Sequence, residues 1–229
     1  MKVPSMRKRR LPWLSVLPAL LIALAVLPGC STDDPAVPQP EPEPEGLPFP
    51  DSPEQLMANF ATAYETRNLV ELAGLLHPRS ETILQQSTTT RYPDVGTTLD
   101  RTEELRIHER MFAGVPVTDP LSLQIPAIEH IQWQTFAQQG GWTATTGSDP
   151  IPDAQWAMFD VVALFDRGQA FATLKTQGVI RFHITHRDST RNGVTRPFYQ
   201  VRAQTDLTYD MKARGTESIA WGHVKAMFR

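Results

Sequence analysis

The sequence predicts an α+β domain carried behind a leader and a spacer. Three observations predict it. From Ser52 to Phe112 apolar residues recur at helical spacing behind N-capping side chains; beyond Gly114 the period shortens to strand-like segments; and ahead of both lies a stretch too rich in proline and carboxylates to pack. Helices first and strands afterwards predict helices packed on one face of an antiparallel sheet. The 229 residues, 41% hydrophobic, suffice for one such domain with appendages. A net charge of -3 offers no basic field for phosphate contacts, which argues against a nucleic-acid partner.

The first residues, "MKVPSMRKRR", are positive at Lys2, Arg7, Lys8, Arg9 and Arg10, and the apolar run "LPWLSVLPALLIALAVLPG" follows. Charge, then an apolar stretch, then small residues is the order of a secretory signal. A spanning helix wants about 20 unbroken apolar residues, and Pro12 and Pro18 interrupt this run. The one cysteine, Cys30, ends it, so no intramolecular disulfide can form. Leu27-Pro28-Gly29-Cys30 resembles a bacterial lipobox, with Pro28 standing where a small residue is usual. The resemblance implies removal of residues 1–29 and acylation, palmitate included, of Cys30. Each buried methylene contributes about 0.8 kcal/mol, so several chains hold a protein on a bilayer that one grips only transiently. The expected place is the cell envelope, anchored to a bacterial membrane through lipid. The resemblance further implies that Ser31 favours the periplasmic side of the outer membrane in a Gram-negative cell.

Residues 30–50 are expected to be a lipid-anchored tether. From Ser31 to Pro50 there are seven prolines, five carboxylates and no base. Such a chain extends as polyproline II, about 3.1 Å per residue. The domain proper is expected over 51–229. "SPEQLMANFATAYETRN" opens with Ser52, Pro53 and Gln55 in a capping arrangement, and Leu56, Phe60 and Tyr64 form one buried stripe. A second helix starts at Asn68, with Glu71 three residues on, and stops at His77-Pro78. A third is framed by Asp100 and Glu103, with Leu105, His108, Met111 and Phe112 on one face.

Beyond Gly114, the segments "LSLQI", "IEHIQWQTF", "QWAMFDVVALF", "AFATLKTQGVIRFHITH", "RPFYQVRAQTDLTYDM" and "SIAWGHVKAMF" read as strands separated by turn residues. Asn192-Gly193 is the strongest hairpin signal.

"SPEQLMANFATAYETRNLVELAGLLHP" resembles the opening helix pair of NTF2-like (SnoaL-like) domains, "TEELRIHERMF" resembles their third helix, and the four closing strands fit the family's long sheet. Arg79 stands where the family usually has an aspartate. The resemblance spans roughly residues 52–229. It implies a cone, three N-terminal helices on a curved antiparallel sheet, around a pocket that in some members is an active site and in others holds a small apolar ligand or is filled. It also implies homodimers through the sheet.

Asp160 interrupts the apolar run "WAMFDVVALF". A two-residue turn at Arg167-Gly168 pairs it with Lys175 across the ladder. A three-residue loop, Asp166-Arg167-Gly168, sets it opposite Leu174 among apolar neighbours, where desolvation would make it a general acid or base. The first register sorts the apolar residues better. His183 and His186 lie three apart, on opposite faces of a strand, and cannot chelate one ion. Pairing about Asn192-Gly193 puts His183 opposite Arg202, facing solvent, and His186 opposite Tyr199. No nucleophile elbow, phosphate-binding loop, domain cysteine or zinc-ligand spacing is present, so neither a metal nor a cofactor is expected. The leading expectation is a non-catalytic ligand-binding or assembly module. The alternative is a small lyase, isomerase or hydrolase using Asp160 with His108 or Tyr64.

Overall fold

The computed structural model describes residues 46–119, 121–191, 193–208, 212–213 and 216–229. The signal segment, Cys30 and the tether up to residue 45 lie outside the described residues. The chain runs α1 (Pro53–Glu65), α2 (Leu69–Leu75), β1 (Leu76–Ile83), α3 (Gln86–Arg91), a short 3-10 turn (Pro93–Val95), β2 (Thr98–Asp100) and α4 (Arg101–Phe112). There follow β3 (Val117–Thr118), β4 (Gln124–Ile125), β5 (His130–Ala144), β6 (Gln155–Asp166), β7 (Leu174–Arg191), β8 (Val194–Thr208), β9 (Lys212–Ala213), β10 (Thr216–Ser218) and α5 (Trp221–Met227).

The class is α+β. One sheet runs β2-β1-β8-β7, continues through β6 to β5, and takes β10 and β9 beside the start of β7. Its pairings are antiparallel except β1 with β8 and β7 with β10. Register shifts in β5 and between His183 and Ile184 add local twist and bend the strands. Phe159, Val161, Ala163 and Phe165 of β6 join Ile180, Phe182 and Ile184 of β7 on one buried face, against Leu56, Phe60 and Tyr64 of α1.

The three expected helices form, and local caps explain why. Ser52 Oγ accepts from Gln55 N (3.1 Å), Asn68 Oδ1 from Glu71 N (3.1 Å), and Asp100 Oδ1 from Glu103 N (2.9 Å). On α4 the inward residues are Glu104, Ile107, His108, Met111 and Phe112, while Leu105 is only half-buried. Two further helices, α3 and α5, were not expected, so the helices are not confined to the N-terminal part.

The largest correction is α5, which occupies "WGHVKAM" in a segment expected to be a strand. Every residue from Trp221 to Met227 is buried. A helix buried on all sides carries no polar stripe and hence no 3.6-residue alternation to read. Its caps are also non-local: Trp221 N donates to Thr208 Oγ1 (2.8 Å) and Gly222 N to Asp206 Oδ2 (2.7 Å).

The domain also begins earlier than expected. Residues 47–50 belong to it: Leu47 N donates to Glu71 Oε1 (3.3 Å), Asn59 Nδ2 to the Pro48 carbonyl (2.6 Å), and Tyr199 N to the Pro50 carbonyl (3.0 Å). Phe49 lies against the Phe198 ring, 5.3 Å between centroids. Two aromatic and apolar side chains among the prolines give this end of the spacer something to bury.

Candidate functional site

Tyr64 and His108 are brought together in the interior. Tyr64 is the inward residue of the last turn of α1, and His108 that of the middle of α4; both are 0% exposed. The Tyr64 hydroxyl lies 2.5 Å from His108 Nε2, and His108 Nδ1 lies 2.6 Å from the Glu104 carbonyl. A carbonyl can only accept, so Nδ1 carries the imidazole proton and Nε2 accepts from Tyr64 O–H. Burial lowers the His108 pKa to about 4, with Lys225 adding to the shift and Glu104 opposing it. Burial, then the Glu104 charge, raises Tyr64 well above its ordinary value. Both groups are neutral near pH 7.

Beside them lies a buried ion pair. Lys225 Nζ of α5 donates to Glu104 Oε1 of α4, and the two side chains are 1% and 3% exposed. Thr82 Oγ1 and Gln204 Oε1, each 3.4 Å from Lys225 Nζ, complete its surroundings, and the ammonium stands 5.2 Å from the Trp221 ring centroid. Burial pushes Glu104 upward, but Lys225 and then His108 outweigh it and hold the carboxyl below its usual range. Burial lowers Lys225, with Glu104 opposing.

The Trp221 indole fills the space between Tyr64, Trp133 and Phe165, with ring centroids 5.3, 5.5 and 5.9 Å away. Past α5, Arg229 Nη2 donates to Glu103 Oε1 (2.6 Å), tying the end of the chain to α4. At the other end of α5, Asp206 Oδ1 accepts from Thr208 N (2.9 Å) and Thr208 Oγ1 (2.5 Å), which orients the two capping side chains. Burial raises the Asp206 pKa even so. The Tyr64–His108 pair has the parts of a proton relay, and Trp221 of α5 packs against the Tyr64 ring.

Asp160 is not part of this arrangement. It is exposed, on the face of β6 opposite Phe159 and Val161, and accepts from Gln139 Nε2 (2.6 Å). Neither expected register forms. Asp160 pairs with Val179 and Lys175 with Leu164, because β6 and β7 are joined by a loop over 167–173. Arg167 holds that loop by donating through Nε and Nη2 to the Ala172 carbonyl (2.9 and 2.6 Å).

His186 pairs with Tyr199 as expected, but His183 does not face solvent. The register shift after His183 sets it opposite Ala203, where Ile151 and Ala154 pack, and it is 7% exposed. Burial, then Arg181, lowers its pKa.

Glu104 and Lys225 were missed by sequence reasoning. Glu104 was legible in principle, lying at i−4 from His108 on the face that runs on to Met111. Lys225 had no signal once its segment read as a strand. Among the described residues no group of three or more His, Cys, Asp or Glu could hold a metal ion, and no helix is long and apolar enough to cross a membrane.

No family model matches this chain, and no curated protein matches it. Solved structures do align with it. A conserved protein from Planctomyces limnophilus aligns at 9% identity and a TM-score of 0.42, over 69% of this chain and 94% of that one. An NTF2-like protein of unknown function in nutrient uptake from Rhodospirillum rubrum aligns at 12% identity and 0.36, over 66% and 92%. LinA aligns at 11% identity and 0.37, over 67% and 81%.

Proposed function

We propose that this protein is a bacterial envelope lipoprotein, cut before Cys30 and acylated there, whose NTF2-like domain is a non-catalytic binding or assembly module working through its outer surface. One observation carries the second half of this reading: α5 and the Phe228 that follows it lie in the interior of the fold, with Trp221 and Lys225 each 1% exposed and Phe228 0%. An apolar ligand inside the cone would have to displace the chain's own tryptophan and break the Glu104–Lys225 pair. The outer face of the sheet is available instead. There Met158, Val162, Leu164 and Val179 are half-buried and Leu207 is 41% exposed, interspersed with Asp160, Lys175 and Arg181. This mixed surface is where a partner or a second copy would sit.

Metabolic labelling with a fatty acid, followed by intact mass, tests the anchor. Wild-type protein should begin at Cys30 and carry acyl mass, and Cys30→Ala should carry none. Label that survives the substitution would overturn the anchor. Native mass spectrometry of the extracted full chain tests the module, which should retain no stoichiometric small molecule in its interior.

The Tyr64–His108 hydrogen bond favours one rival, an acid–base enzyme whose site opens when α5 leaves. Under that rival, substitutions that loosen α5 without unfolding the sheet would create uptake of an apolar dye; under the module reading they would only lower stability.

A further inference from the structure

A recess at the far end of the β7–β8 hairpin is lined by His77, Thr185, His186, Arg187, Phe198 and Gln200. It arises from the sheet's own geometry. The last β6 pairing to β7 is Gln155 with Ile184, so from Thr185 onward β8 is the one strand among the described residues that pairs with β7. On the other side of β8 the pairing with β1 breaks between Leu76 and Glu81, which frees His77 and Arg79 from the ladder.

Among the described residues no carboxylate lines this recess. Arg187 is steadied over the Phe198 ring, 5.6 Å from its centroid, and Phe198 is in turn backed by Phe49. His77 Nδ1 accepts from Arg79 N (3.0 Å), so in the neutral ring Nε2 carries the proton and is the donor that remains. Arg202, Arg79 and Arg187 all act on His77, in that order after burial itself, and lower its affinity for a proton. Of these, Arg202 has a partner in Glu81 (3.3 Å). The Gln200 carboxamide is anchored to the carbonyls of Gly74 (3.0 Å) and Leu76 (3.3 Å), which fixes the floor.

Guanidinium, imidazole and hydroxyl donors line one recess with no acid among the described residues there, and that donor set matches the oxygens of a tetrahedral oxyanion. We infer that this recess binds a phosphate group, free or borne on a lipid headgroup, through Arg187, His77 and Thr185. The inference does not depend on how the chain is anchored.

The test uses the full chain in detergent and reads the His77 ring resonances by NMR, with backbone amide shifts as a check of folding. Inorganic phosphate is titrated at constant ionic strength against chloride. Saturable movement of His77 with phosphate and not with chloride, weakened about tenfold or more in Arg187→Gln, supports a free phosphate ligand. Movement only with phosphatidylglycerol added to the detergent micelles and not with phosphatidylcholine, lost in the same variant, supports a headgroup. The inference is overturned by movement of equal size with chloride and with phosphate, by no response to either phosphate or phosphatidylglycerol, or by responses that Arg187→Gln leaves unchanged. Arg187 is exposed, so its substitution should leave the fold intact.

Discussion

Helices α1 and α5 lie against the same sheet and meet at one ring contact, Tyr64 with Trp221, yet they are specified in opposite ways. The caps of α1 are written within four residues of its start, and its buried face repeats as Leu56, Phe60, Tyr64. The caps of α5 come from Asp206 and Thr208 on β8, and it has no exposed face at all. One helix is encoded locally and would form wherever its face found cover; the other exists because the rest of the domain leaves a hole of its shape. The difference predicts that substitutions on α5 are felt through packing and charge, and those on the N-terminal helices through propensity and capping.

The largest effect should come from splitting the buried ion pair. Lys225→Met leaves the Glu104 carboxylate unpartnered in the interior and should cost about 3–5 kcal/mol by denaturant unfolding, whereas adding Glu104→Gln to it should recover a large part. An additive double mutant would mean that the two charges do not meet.

Acid should loosen the same region. His108 titrates near 4 in the fold against 6.5 unfolded, so between those values the unfolded chain binds the extra proton and stability falls as pH falls. That window is worth on the order of 3 kcal/mol. The lowered Glu104, His183 and His77 act in the same sense, while the raised Asp206 acts against them. Unfolding of wild type and His108→Gln at pH 7 and pH 4 should isolate the histidine: the variant should show the smaller acid loss.

One substitution made at two glycines should change sign. A Cβ at Gly222 would meet Thr88 Oγ1 at 2.7 Å, Asp206 Oδ2 at 2.8 Å and Leu84 Cδ2 at 3.0 Å, whereas one at Gly74 on α2 would meet nothing within 4 Å. Gly222→Ala should therefore destabilise by about 1–3 kcal/mol through crowding. Gly74→Ala should stabilise by about 0.5–1 kcal/mol through helix propensity, measured as thermal midpoints. At the small end, Ser52→Ala should cost about 1 kcal/mol, the ordinary loss of a local cap.

The same contrast explains what could be read in the chain. Ser52, Asn68 and Asp100 announced their helices because a cap and its first turn are neighbours in sequence. Tyr64 and His108 were legible as inward residues, since helical spacing alone sets which way they face. The hairpin at Asn192-Gly193 gave its pairing correctly as far as Ile184 with Val201, and the register shift beyond that set Ala203 opposite His183, beside Ile151 and Ala154, which leaves His183 buried rather than facing solvent. Asp160 was read correctly as lying off the apolar face, but its partner was misread because a loop over 167–173 stands where a tight turn was expected, and nothing local distinguishes Phe171 in that loop, 52% exposed, from a strand residue. Lys225 could not be placed at all, because its partner is 121 residues away.

The claim on which the rest turns is that α5 is a permanent part of the core. Amide hydrogen exchange of the full chain measures this directly. If α5 opens only when the domain unfolds, the amides of Val224–Met227 should be protected to within about tenfold of those of Ile180–Ile184 in β7. Exchange of α5 several orders of magnitude faster than β7, under conditions where the sheet stays protected, would show a helix that leaves its seat and would contradict the account.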